Sequence, residues 1–132
     1  MRTLIHLSLL SLLFLSPSCA SYKISPSDAI LELPDAFAEY PGGSEALKKF
    51  LANNIKYPEE AMVNGESGKV FVQFVVEKDG SLTNIEVLKG VTKALNEESV
   101  RVISTMPKWT PGVHKKMYVR SHVRMPISYI LE

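Results

Sequence analysis

Two runs of alternating apolar and polar residues, joined at Asp79-Gly80, form the clearest pattern in the chain and extend from Gly68 to Leu88. Such alternation predicts strands with one buried face, and Asp-Gly between two of them predicts a tight hairpin turn. The opposite face, which includes Val75 and Phe71, is expected to be half-polar and largely open. The register implied by a two-residue turn pairs Val76 with Thr83, Phe74 with Ile85 and Val72 with Val87.

Apolar residues at helical spacing predict three helices, each bounded by residues that begin or end helices. The first has Ser44 as its expected N-cap and ends before Tyr57-Pro58, because a residue that precedes proline is disfavoured in the α region. The second is short, begins at Pro58 and closes at Asn64-Gly65. The third is expected to have Asn96 as its N-cap and to end at Pro107.

Alternation returns from Tyr118 to Leu131 and predicts a final strand. Since the third helix carries the chain back along the sheet, this strand is expected to lie antiparallel beside the first strand of the hairpin. Pro126 has no backbone N–H to donate, which favours an edge position for the strand. The sequence therefore predicts an α+β fold with a three-stranded antiparallel sheet, in the order 2-1-3, and helices packed on one face.

The first residues are typical of an export signal, with Arg2 followed by an apolar run from Leu4 to Leu15 that is too short to cross a membrane. The only cysteine, Cys19, follows this run and suggests lipidation of Cys19 and attachment to a membrane. Cleavage after Ala20 and an uncleaved anchor are the alternatives. We interpret residues 1–19 as a signal peptide, 20–40 as a tether with a short ordered piece near Ile30 to Leu33, and 41–132 as one domain.

Composition changes this picture only in the C-terminal part of the chain. A length of 132 residues with 45% hydrophobic and 22% charged residues fits a single globular domain. After Val100, basic residues outnumber the single acid, Glu132, so a negatively charged partner would be steered there. The basic residues are Arg101, Lys108, Lys115, Lys116, Arg120 and Arg124.

Few residues in the sequence suggest catalysis or metal binding. Outside the signal peptide only His114 and His122 remain, without the spacing of cysteines or carboxylates that a metal site needs. The chain also lacks a G-x-S-x-G turn and a glycine-rich phosphate loop. We expect no enzymatic activity, no metal and no cofactor, and the balanced charge of an exported chain argues against nucleic-acid binding.

Several short motifs resemble, in order and spacing, those of the C-terminal domain of TonB-type energy transducers. They are Tyr57-Pro58, Gly68, Asp79-Gly80, the M-P-x-W-x-P-G run from Met106 to Gly112, and Pro126. The resemblance extends from Glu39 to Leu131. It implies a helix-on-sheet fold in the periplasm that binds the TonB box, a short N-terminal peptide of an outer-membrane receptor, as an added strand on the edge of the last strand.

The resemblance, together with the basic residues of the last strand, defines a candidate peptide-binding site. An exposed strand edge offers a row of main-chain donors and acceptors, and the basic side chains would meet an acidic residue of the peptide. The alternative is that these charges only protect the edge from aggregation and that Tyr57 is a buried ring at a helix break. The candidate residues are Tyr57, Pro58, Tyr118, Arg120, His122 and Arg124.

These observations lead to two functional hypotheses of different kinds. The first is a periplasmic module that binds a receptor peptide in TonB-dependent transport. The second is a structural envelope lipoprotein that holds a protein partner without transmitting energy. A homodimer through the open edge is a further alternative for the same surface.

Overall fold

The computed structural model describes residues 29–132. The signal peptide, Cys19 with its lipidation or alternative cleavage, and the first part of the tether lie outside the described residues. The elements are β1 (Ile30–Leu31), α1 (Gly43–Asn54), α2 (Glu59–Val63), β2 (Gly68–Val76), β3 (Leu82–Lys89), α3 (Lys93–Ser104), β4 (Gly112–His114) and β5 (Met117–Tyr129).

The strands form one sheet in the order β1-β5-β2-β3, and β4 pairs with β5 beside this path. β2 runs antiparallel to both β3 and β5, whereas β1 runs parallel to β5. The α+β class is confirmed, but the prediction of a three-stranded antiparallel sheet is wrong, because within residues 29–132 the sheet has five strands and one parallel pair. The two unpredicted strands, β1 with two residues and β4 with three, are too short to show alternation.

The β2–β3 hairpin keeps the predicted register only in its middle, at Val72 and Gln73, and departs from it near the turn and at Phe71, which pairs with Lys89. Val72 pairs with Val87 as expected, but Val76 pairs with Leu82 instead of Thr83. The shift arises at a bulge beside Asn84, which has a φ of 50°. The prediction near the turn is wrong because the loop contains one residue more than the assumed two.

Three residues, Lys78 to Gly80, form this loop. The Gly80 N–H donates to the Glu77 carbonyl (2.9 Å), and the Glu77 N–H donates to the Ser81 carbonyl (2.8 Å). Gly80 has a φ of 87°, the left-handed conformation that the last residue of a three-residue hairpin loop requires. Asp79-Gly80 therefore does mark the hairpin, with a different loop length.

The core lies between the helices and one face of the sheet. Phe74 is fully buried and packs edge-on against Trp109, with ring centroids 5.2 Å apart. Tyr40, which precedes α1, packs against the same indole at 5.8 Å. Val75 is also fully buried, so the expectation of a largely open opposite face is wrong at this position. It holds for Phe71, which remains 39% exposed.

Two predicted helix caps are wrong, although both helices exist. α1 begins at Gly43 with Gly42 as its N-cap, which places Ser44 inside the helix. α3 begins at Lys93, and the Thr92 hydroxyl caps it by accepting a hydrogen bond from the Leu95 N–H (3.4 Å). Threonine and asparagine are both cap residues, so the sequence alone did not discriminate between positions 92 and 96.

Candidate peptide-binding edge

β5 has different neighbours along its length. On one side β2 pairs with it from Ser121 to Tyr129. β1 pairs with it only at Arg120 and Ser121, and β4 pairs with its first three residues. Within residues 29–132, the ladder partners of β5 beyond Ser121 come from β2 alone, so the predicted open edge begins at His122 and its first part is covered.

Arg120 is held by the chain itself. Its guanidinium donates to both carboxylate oxygens of Glu77, at 2.7 and 3.1 Å, and both side chains are largely buried. The hydrogen bond from Arg120 is the main reason that the pKa of Glu77 lies below its ordinary value. This paired arginine ties the end of β2 to β5.

His122 and Arg124 lie on the same outward face of β5 and share one carboxylate. Glu32, the residue after β1, approaches Arg124 at 3.3 Å and His122 at 3.8 Å. Arg124 also donates to the side-chain amide oxygen of Gln73 (2.6 Å). An acid at the end of β1 thus lies beside the two candidates nearest the open edge, His122 and Arg124.

Tyr118 lies close to the turn of the second hairpin and is 59% exposed. It pairs with Val113 of β4, outside the open part of the edge. The turn itself is formed by Lys115 and Lys116, both with positive φ. Asp35 accepts a hydrogen bond from the Lys115 N–H (2.7 Å), and this bond is the main cause of the lowered pKa of Asp35.

The structure places Tyr57 and Pro58 on the opposite face of the sheet from the basic side chains. The Tyr57 ring packs edge-on against Tyr129, with centroids 5.6 Å apart, and its hydroxyl donates to the Glu66 carbonyl. Tyr129 lies five positions after Arg124 in β5, an odd offset, so their side chains point to opposite faces. The alternative of a ring packed at a helix break fits these contacts of Tyr57.

A shallow groove adjoins the open edge on the helix side. It has a volume of about 320 Å³ and lies between the segment from Ala38 to Tyr40, the start of α1, and Val123 to Met125 of β5. Trp109 also lines it, and its indole N–H is buried without a hydrogen-bond acceptor among the described residues. Sequence reasoning missed this groove because its walls come together only in the folded chain.

Sequence reasoning also missed Glu32 as part of the site. The one available signal was an acidic residue within the short ordered piece predicted near Ile30 to Leu33. Nothing in the local pattern indicated that this piece would pair with a strand about ninety residues later. Contacts between residues so distant in sequence have no periodic signature.

From residue 29 onward, no three histidine, cysteine, aspartate or glutamate side chains come together in a way that would hold a metal ion. In the same range, no helix has the length and apolar character needed to cross a membrane.

A comparison with protein-family models decides the family. The model of the Gram-negative bacterial TonB protein C-terminal region matches residues 53–131, which include β2, β3, α3 and β5. The chain belongs to the TonB C-terminal family. The family assignment made from the motifs is thereby confirmed.

Curated relatives in this family include the TonB proteins of two Helicobacter pylori strains, 26695 and J99. Each is 32% identical to this chain over 103 residues, which cover 74% of the chain. The chain spans only 35% of the length of either relative. The similarity is therefore to one part of those longer proteins.

A solved structure of the same family supports the fold. The NMR solution structure of the Helicobacter pylori TonB C-terminal domain superimposes with a TM-score of 0.52 at 28% identity. The match covers 70% of this chain and 87% of that domain. Fold and family thus agree.

Proposed function

We propose that this protein is a periplasmic interaction module of TonB-dependent transport that binds an extended N-terminal peptide of an outer-membrane transporter. The peptide adds as a strand along β5 from His122 towards Tyr129. The observation that carries the proposal is the long β5 strand, which β2 pairs on one side and which has an open second edge beyond Ser121 among the described residues.

Strand addition fits this edge because β2 holds it rigidly. Nine residue pairs join β2 to β5, so the edge is already extended before a peptide arrives. A peptide would gain main-chain hydrogen bonds along the edge, while its alternate side chains would point to the two faces of the sheet. The affinity would come mainly from the main chain and the selectivity from the two faces.

The two faces of the edge offer different chemistry to those side chains. On the helix side, the groove beside Val123 and Met125 would take apolar side chains. On the outward side, His122 and Arg124 would attract an acidic side chain. The proposed ligand is therefore an extended peptide in which an acidic residue and an apolar residue occupy opposite faces.

Family membership supports this role over that of a structural lipoprotein. The relatives are themselves TonB proteins, and the matched region includes β2 and β5. Because the chain covers only about a third of those proteins, any transmission of energy through other segments is part of the proposal.

The test is a titration of the isotope-labelled chain, from residue 20 onward, with synthetic N-terminal peptides of outer-membrane transporters. We expect amide chemical-shift changes that concentrate between His122 and Tyr129. Absence of shifts along Tyr118 to Leu131 at millimolar peptide would exclude strand addition on this edge.

A pair of charge variants tests the outward face. Arg124→Gln should weaken binding of an acidic peptide by about fivefold or less, because exposed ion pairs contribute up to about 1 kcal/mol. Lys49→Gln, an exposed substitution on α1, is the matched control and should leave the affinity unchanged. Equal losses in both variants would indicate only a general effect of net charge.

A further inference from the structure

The short strand β1 already occupies the beginning of the β5 edge. Ile30 pairs with Arg120 and Leu31 with Ser121, in parallel orientation. The next residue, Glu32, places its carboxylate 3.3 Å from Arg124. The β5 edge thus already carries a strand of the same chain, followed by an acidic residue. The proposed external peptide would present the same two features.

The segment that follows keeps β1 close to this edge. Asp35 accepts the Lys115 N–H, and Ala36 forms a two-way backbone bridge with Val113 (both 2.9 Å). Tyr40 then enters the core, where it is 8% exposed. Only a few residues therefore separate β1 from the anchored residues Asp35 and Ala36, which gives the strand a high effective concentration at β5.

β1 itself is held weakly. It has two paired residues, compared with nine between β2 and β5, and neither Ile30 nor Leu31 is fully buried. Leu33, which follows Glu32, is 81% exposed. The side chains of Glu32 and Arg124 are both more than half exposed, so their attraction is screened by solvent.

We propose that Ile30 to Glu32 acts as an internal occupant of the start of the β5 edge, which a docking strand must displace in order to extend from His122 back to Arg120. This rests on the proposed function, because it concerns the same edge. A docking strand that extends back to Ser121 and Arg120 needs main-chain groups that β1 already uses. A carboxylate that such a strand brings to Arg124 also competes with Glu32. The apparent affinity for an external peptide is then the intrinsic affinity multiplied by the fraction of molecules in which β1 has left the edge.

The first test uses the chain's own segment as the probe. A peptide with the sequence of residues 29–34, AILELP, is added to the chain from residue 20 onward and to the variant Ile30→Pro with Leu31→Pro, which cannot form β1. The tethered strand occupies the edge most of the time only if the free segment binds with a dissociation constant below the effective concentration of the tethered one. That effective concentration is on the order of millimolar. Millimolar peptide is therefore sufficient for detection.

We expect amide shifts between Arg120 and Met125 in the double variant, and shifts at least severalfold smaller at the same peptide concentration in the unsubstituted chain. The peptide AILQLP should bind more weakly than AILELP, since it lacks the carboxylate for Arg124. Equal shifts in the two chains, or none in the double variant, would overturn the proposal. Hydrogen-exchange protection of the β2 amides, which should be the same in both chains, shows that the double variant is folded.

A transporter peptide then separates this proposal from the proposed function. Tighter binding to the double variant than to the unsubstituted chain supports the internal occupant. Equal affinity for both overturns it and leaves the proposed function standing. If the transporter peptide binds neither chain, the proposed function fails, and the AILELP experiment alone decides whether β1 occupies the edge.

Discussion

The turns of the two hairpins in this sheet differ in how well their residues suit the backbone conformation. The β2–β3 turn has Asp79 and Gly80 where they are favoured, and the Trp109 N–H donates to the Gly80 carbonyl (2.9 Å). The β4–β5 turn places Lys115 and Lys116 in the left-handed conformation, which side chains disfavour. The first turn is thus stabilised by the core, and the second depends on a carboxylate from the N-terminal segment.

This difference indicates where the fold is rigid and where it can change. The first turn organises β2, the strand that holds β5 in place. The second turn lies beside the segment that carries β1, and Asp35 links the two. Displacement of β1 would therefore perturb the second turn more readily than the first.

The largest expected effect is at the first turn. A Cβ atom at Gly80 would lie 2.1 Å from the Trp109 carbonyl oxygen, and the backbone there has a φ of 87°. Gly80→Ala should therefore lower the free energy of unfolding by about 2–5 kcal/mol, from strain and forced repacking together. Urea denaturation followed by circular dichroism measures this loss.

Gly65 provides the matched control for this substitution. It has a φ of 66°, but a Cβ atom there would have no neighbour within 4 Å. Gly65→Ala should therefore cost only the conformational part, about 1 kcal/mol. If both substitutions lower the free energy of unfolding by the same amount, the contact with Trp109 adds nothing to the loss at Gly80.

A smaller effect is expected at Glu77, which joins the first turn to β5. Glu77→Gln should lower the free energy of unfolding by about 1–2 kcal/mol at neutral pH, because it removes a charged hydrogen bond to Arg120. The pKa of Glu77 is lowered in the folded protein, so this contribution is present above the unfolded-state value of about 4.3 and is lost as the pH falls through the folded-state value.

The measurement is urea denaturation of both proteins from pH 7 to pH 3. The difference between them should shrink below about pH 4. Glu45→Gln is the control, since Glu45 forms an exposed pair with Lys48 and should contribute less than about 0.5 kcal/mol. A difference for Glu77→Gln that does not change with pH would contradict the ionic origin of this contribution.

The smallest effect is expected at the second turn and has the opposite sign. Lys116→Gly should raise the free energy of unfolding by about 0.5–1 kcal/mol, because glycine accepts the φ of 63° without strain. Lys116→Ala keeps the strain and should change little. Thermal denaturation of the two variants tests this, and an equal gain in both would show that the lysine charge, and not the backbone, is responsible.

The sequence predicted those parts of the fold that local chemistry decides. Asp79-Gly80 marked a hairpin, Pro58 and Pro107 bounded helices, and Asn64-Gly65 closes α2 with backbone bonds from Gly65 to Met62 and from Glu66 to Ala61. Each of these signals acts within a few residues. They were sufficient for the α+β class and the family.

The remaining features depend on contacts between distant residues. Glu98 of α3 is buried and accepts the Lys56 N–H (2.7 Å) and a bond from Arg101, contacts that no local sequence pattern indicates. In the same way, the basic residues of β5 were recognised as candidates, but their partners Glu77 and Glu32 were not. A side chain's type indicates what it can bind, whereas the partner it meets is decided by topology.

Trp109 gives this protein a built-in optical reporter. It is the only tryptophan in the chain, it is 6% exposed, and its main chain contacts the first turn while its side chain lines the groove beside the β5 edge. Its emission should therefore respond to global unfolding and to occupation of the groove, two events that its spectral position can separate. Binding and stability can be followed in the unlabelled protein with one instrument.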